Sequence, residues 1–107
     1  RLDEAGSATK VPYDTAGYMD VAPEDKGENV RREACLTLEQ MGIRPESSHH
    51  EEGPGQNEID FRYADPLTAA DNAVTFRSVV SGTALPLIFR QSLCRTRREA
   101  ACTSIFL

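Results

Sequence analysis

The chain contains no tryptophan, and three tyrosines and four phenylalanines bring aromatics to only 7% of its 107 residues. With an apolar fraction of 39% it is lean in the side chains from which a self-sufficient core is built. Such a length accommodates one small domain at most. Basic excess is also lacking. The net charge is −5, which argues against nucleic acid and anionic membrane surfaces as partners. No apolar run approaches the roughly 20 residues that cross a bilayer. No signal-peptide pattern is visible either, so a soluble, cytoplasmic location is the expectation. Cysteine is sparse and odd in number (Cys35, Cys94, Cys102), with no C-x-x-C spacing. A disulfide framework or zinc site is therefore not expected, and reduced, inert thiols are. There is no P-loop glycine pattern, no defensible Ser/His/Asp order, no heptad seam, no internal repeat and no low-complexity tract. The first residue is Arg1 rather than Met, as a fragment or a processed product would show.

What the chain does contain is concentrated at residues 48–60, Ser-His-His-Glu-Glu-Gly-Pro-Gly-Gln-Asn-Glu-Ile-Asp. Gly53-Pro54-Gly55 is a dense turn signal, and it predicts a hairpin over about 44–63 that folds Glu46–Glu51 back against Gln56–Tyr63. Such a hairpin brings His49, His50, Glu51 and Glu58 together without a long loop to close. Clustered carboxylates repel unless a cation lies between them, so the stretch is a candidate hard-cation site with Glu51 and Glu58 as ligands of Mg²⁺ or Mn²⁺. Two solvated acids on an exposed hairpin are the plain alternative. Neighbours on a strand point to opposite faces, so His49 and His50 cannot both serve one metal. Histidine ligation therefore ranks below the carboxylates.

Around the hairpin the pattern is mixed. Residues 9–11 and 16–22 suggest strands, the second closed by Pro23. A helix is predicted over about 26–42, where Val30, Ala34, Leu38 and Met41 recur at three- and four-residue spacing. Arg31 and Arg32 lie off that stripe, on an expected solvated face. Acids at 24, 25 and 28 suit the positive end of the helix dipole, and Gly42 is a natural stop. Asp65-Pro66 starts a second helix over about 65–80, with Leu67, Ala70, Ala73, Val74, Phe76 and Val80 on its apolar side. The fold class is α+β, with helices on one face of antiparallel strands and the other face open for a polar site. A hairpin and two helices bury little apolar area against an ordering entropy of ~1–2 kcal/mol per residue, so marginal folding in isolation is expected.

The segments Ala16-Gly-Tyr-Met-Asp-Val-Ala-Pro-Glu-Asp-Lys-Gly-Glu-Asn-Val-Arg-Arg, Cys35-Leu-Thr-Leu-Glu-Gln-Met-Gly and Ser48-His-His-Glu-Glu-Gly-Pro-Gly-Gln-Asn-Glu-Ile-Asp-Phe-Arg-Tyr-Ala-Asp resemble glutamine synthetase. The likeness is to the bacterial and archaeal type I enzymes, in the early catalytic domain, and covers about Thr15 to Val80. It implies an ATP-dependent ligase that joins ammonia to glutamate through γ-glutamyl phosphate, using two divalent cations. By resemblance, Glu51 and Glu58 hold one cation, and Glu51 and Tyr18 line the ammonium pocket. Glu46 and His50 lie at the nucleotide. The resemblance further implies large ring homo-oligomers. The family's preceding Glu-x-Glu strand and N-terminal domain have no counterpart here, so the chain is expected to be inactive alone. The plain alternative is a non-catalytic product with at most weak cation binding.

Residues 81–107 depart from the family, and the charge changes with them. Four arginines against one acid give +3 from Ser81 onward, which leaves −8 for the first eighty residues. The expected division is therefore 1–80, partial catalytic domain, and 81–107, an unmatched tail. The family continues with Met-Pro-Lys-Pro and then Gly-Ser-Gly-Met-His segments. Arg90-Gln-Ser-Leu can be encoded CGC CAA AGC CTC, which contains CCA AAG CCT, or Pro-Lys-Pro, in a shifted frame. Glu99-Ala-Ala-Cys-Thr-Ser-Ile, encoded GAA GCG GCA TGC ACG TCA ATC and preceded by a G, shifts to Gly-Ser-Gly-Met-His-Val-Asn. Both segments return in one frame and in order, so the tail is expected to be an out-of-frame reading. A divergent C-terminus with a basic helix at 90–101 is the alternative.

Overall fold

The computed structural model describes residues 4–5, 9–83, 90–93 and 101–106, the last two segments as backbone only. The elements run α1 (Glu28–Gln40), β1 (Pro45–His50), β2 (Gln56–Phe61), α2 (Pro66–Thr83), β3 (Arg90–Leu93) and β4 (Ala101–Phe106). The four strands form one antiparallel sheet in the order β1-β2-β4-β3. The fold is thus α+β, with the hairpin and both helices close to their expected places.

The start and stop of α1 follow from local chemistry. The Asp25 carboxylate accepts the Gly27 N–H at 2.9 Å just ahead of the first turn. At the other end Gly42 takes φ +83, the left-handed conformation that glycine adopts without strain. The Gly42 N–H then donates to the Glu39 carbonyl and the Ile43 N–H to the Leu38 carbonyl, both at 3.0 Å. This is a Schellman closure, and both of its apolar partners, Leu38 and Ile43, enter the core. Helix α2 is capped by Asp65, whose carboxylate accepts the Leu67 and Thr68 N–H groups, with Pro66 at the first helical position.

The core lies between the helices and the inner face of the hairpin. Ala34, Leu38, Ile43, Ile59, Phe61, Phe76, Val79 and Val80 form it, with Val30, Cys35 and Tyr13 packed at its margin. Phe61 and Phe76 meet edge to face with centroids 5.1 Å apart, a favoured aromatic geometry. In β2 burial alternates strictly, with Asn57, Ile59 and Phe61 inward and Gln56, Glu58 and Asp60 outward.

Several expectations are corrected. Residues 16–22 are turns, not a strand, and 9–11 form none either. The Asp20 side chain accepts the Gly17 N–H at 2.7 Å, and Met19 turns with φ +60. Local bonds of this kind displace strand pairing. Met41 is exposed, because the chain has already left the helix there. On α2 Leu67, Ala70 and Val74 are exposed, and burial is confined to Phe76, Val79 and Val80 near its end. Arg31, placed on a solvated face from its spacing, is buried at 5% exposure. Helix α2 runs on to Thr83, past its expected end near residue 80. Residues 90–93 and 101 are strand, so a helix over 90–101 does not form at its two ends, and 94–100 lie outside the described residues.

Candidate metal centre

The turn decides which side chains meet. Glu51 N–H donates to the Gln56 carbonyl and Gln56 N–H to the Gly53 carbonyl, both at 2.8 Å. Gly55 adopts φ +67 within that loop. This closure pairs His49 with Glu58 and His50 with Asn57. Paired residues of antiparallel strands share a face, so His49 and Glu58 look outward while His50 and Asn57 look toward α1. Glu51, at the mouth of the turn, joins the outward pair.

The result is a three-residue cluster. One ligand atom each from His49, Glu51 and Glu58 lies within 4.8 Å of the others. His49 Nε2 stands 3.4 Å from Glu51 Oε1 and 3.9 Å from Glu58 Oε1. The side chains are only 11%, 21% and 12% exposed, so water screens the two carboxylates poorly and a cation between them would offset their repulsion. His49 Nδ1 is buried with no hydrogen-bond partner. The donor set of two carboxylates and an imidazole, with one nitrogen unused, fits a divalent cation.

A second polar layer supports this face from below. The His50 ring is fully buried, with Nδ1 2.6 Å from the Glu51 carbonyl and Nε2 2.8 Å from Asp14 Oδ1. Asp14 also accepts the Gly55 and Lys26 N–H groups, which ties the N-terminal segment to the turn. Beside it, Arg31 Nη1 and Nη2 donate to Asp25 Oδ1 and Oδ2 at 3.0 and 2.6 Å. Burial pushes the Asp25 carboxyl up, but the Arg31 bond and charge, the Gly27 N–H and the nearby His50 together hold it below its ordinary value. The Arg31 guanidinium also donates to Asn57 Oδ1 and, through Nε at 3.2 Å, to Ser48 Oγ. Burial raises the Cys35 thiol above its usual range despite the Ser48 hydroxyl beside it, in keeping with an inert side chain.

Of the residues singled out from the sequence, Glu51 and Glu58 are brought together. Tyr18 stands at the same place, its ring edge-on to His49 with centroids 5.5 Å apart. The Met19 N–H pins that turn to the His50 carbonyl at 2.9 Å. Glu46 is exposed at the irregularity between Pro45 and Ser47, and does not join the cluster. His50, expected at the nucleotide, has no exposed surface, and both ring nitrogens are engaged. The imidazole on the open face is His49. Sequence reasoning ranked His49 low and missed Asp14 and Arg31. Parity from the turn could have found His49, because a hairpin closing at Glu51 and Gln56 necessarily sets it opposite Glu58.

Comparison with known proteins fits this geometry. The sequence model of the glutamine synthetase catalytic domain matches residues 2–87. A glutamine synthetase of Clostridium saccharobutylicum is 57% identical over 82 residues, which are 77% of this chain and 18% of that protein. One of Staphylococcus aureus strain MW2 is 56% identical over 80 residues, 75% of this chain and again 18% of that protein. The chain thus spans under a fifth of the length of these relatives. With four-fifths of its residues inside the family's pattern and the paired acids on one face, the chain belongs to the glutamine synthetase catalytic-domain family.

Proposed function

We infer that the chain is a portion of a ligase that condenses ammonia with glutamate, driven by ATP through γ-glutamyl phosphate. In this reading the open face of β1 and β2 supplies part of its divalent-cation site. The observation that carries the inference is the convergence of His49, Glu51 and Glu58 within 4.8 Å in a chain of this family. Mg²⁺ or Mn²⁺ held there would neutralise phosphate oxygens during phosphoryl transfer. Glu51 and Glu58 hold the cation. Glu51 and the Tyr18 ring line an ammonium pocket, since a carboxylate and an aromatic ring both favour a small cation. His49 is the imidazole available to substrate, and His50 with Asp14 braces β1 from beneath. Glu46 marks the nucleotide side. Glutamate, ammonia and ATP are the partners, in large rings of full-length copies in the cytoplasm.

Titration with Mn²⁺, followed by electron paramagnetic resonance, tests the ligand assignment. Glu58→Gln and Glu51→Gln should each weaken binding by an order of magnitude or more. Affinity unchanged in the double variant would remove both residues from the site. Among the described residues His49, Glu51 and Glu58 form the one group able to hold a metal. Beside it we propose that the 107-residue chain, which covers 18% of those relatives' length, binds a cation without turning over. A biosynthetic or γ-glutamyl transfer assay should give no product, and turnover abolished by Glu58→Gln would overturn it.

A further inference from the structure

The layer beneath the cation face contains a charged side chain that the proposed chemistry does not use. Arg31 is 5% exposed, and all three of its guanidinium nitrogens are bonded. A buried ion pair is a poor source of stability, because desolvation cancels much of its attraction and an apolar pair of equal volume packs as well. What the pair does supply is geometry. One edge of the guanidinium is locked on the Asp25 carboxylate, and the remaining donors reach one residue in each strand of the hairpin: Ser48 in β1 and Asn57 in β2. Those two residues directly precede His49 and Glu58. Asn57 is held on its other side as well, donating from Nδ2 to the Gly55 carbonyl at 3.1 Å. Gly27 closes the remaining space, since a Cβ there would stand 2.3 Å from Asn57 Oδ1.

We propose that Arg31, oriented by Asp25, is a positioning residue for the cation cluster, fixing Asn57 and Ser48 so that Glu58 and His49 are presented at one separation. The proposal rests on the cation reading given above, and its test separates the two. Mn²⁺ affinity is measured on the 107-residue chain and on Arg31→Lys, Arg31→Met and Asp25→Asn, each at a temperature where circular dichroism shows it folded. Amide hydrogen exchange of Glu58 is compared with that of Val79, which lies in α2. Loss of a bond behind a metal ligand typically costs ten- to a hundredfold in affinity, so Arg31→Met should weaken Mn²⁺ binding by about tenfold or more. Arg31→Lys should not rescue it, because an ammonium cannot fork across Asp25 and Asn57 together. Added to Glu58→Gln, Arg31→Met should weaken binding by less than it does alone, since the part of its effect that runs through Glu58 is already lost and only the His49 part remains.

Wild-type affinity in folded Arg31→Lys or Arg31→Met, or effects that simply add in the Glu58→Gln background, would overturn the proposal. If Arg31→Met does not fold, Arg31→Lys and Ser48→Ala decide by the same criteria. If the wild-type chain takes up no Mn²⁺, the cation reading fails and exchange decides the positioning claim. Exchange at Glu58 accelerated at least tenfold relative to Val79 in the variants sustains it, and equal change at both overturns it.

Discussion

Protonating Asp25 removes the charge to which Arg31 is bonded, and stability follows. In the folded chain this carboxyl titrates below its ordinary value, so as pH falls the unfolded chain takes up the proton first. The stabilisation is therefore complete above the ordinary carboxylate range and is lost as pH drops through the folded value. Urea midpoints recorded from about pH 5 to pH 2 should fall less steeply in Asp25→Asn than in the wild type, and matching slopes would exclude Asp25 as a contributor. Removing the partner outright leaves a buried, uncompensated guanidinium, so Asp25→Ala should cost about 3–5 kcal/mol. None of this was legible in spacing. Helical periodicity counts apolar side chains, and Arg31 is recognised as buried only once its partners at 25, 48 and 57 are known to converge. The acids of the site were legible because the turn and both carboxylates lie within one short stretch. His49 was legible only through pairing parity.

Elements whose ends are set by local chemistry matched their sequence signals, and those that depend on a partner did not. The cap at Asp65 and Pro66 and the stop at Gly42 each act within a few residues, and both helices form where these signals stand. The segment 16–22 reads as a short strand closed by Pro23, yet Asp20 and Gly17 bond each other and the chain turns. Two substitutions separate the forces at work on α1. Gly42→Ala puts a side chain into a φ of +83 and, with open space around it, should cost only about 1 kcal/mol of conformational strain. Gly27→Ala meets Asn57 at 2.3 Å, with Asn57 held on both sides, so about 1–3 kcal/mol of overpacking is expected. Thermal melts should rank Gly27→Ala as the more damaging, and the reverse order would show that Asn57 yields.

For the molecule as a whole, most large apolar side chains of α2 outside its last turns remain exposed, Leu67 at 73% and Val74 at 68%. So small a core predicts a low, weakly cooperative melting transition for the isolated chain, and a sharp transition at high temperature would refute that. No described helix is long and apolar enough to cross a membrane. The family match ends at residue 87. Beyond it the proposal of an out-of-frame tail makes its own prediction: the DNA of codons 90 to 105 should encode Pro-Lys-Pro and Gly-Ser-Gly-Met-His-Val-Asn in one shifted frame, and unrelated codons would leave a divergent C-terminus. The want of tryptophan, finally, makes the chain optically quiet above the tyrosine band. Tyr18, edge-on to His49 at 5.5 Å, is then an intrinsic fluorophore beside the cluster. Paramagnetic Mn²⁺ arriving there should quench its emission, diamagnetic Mg²⁺ should not, and Tyr18→Phe should erase the difference.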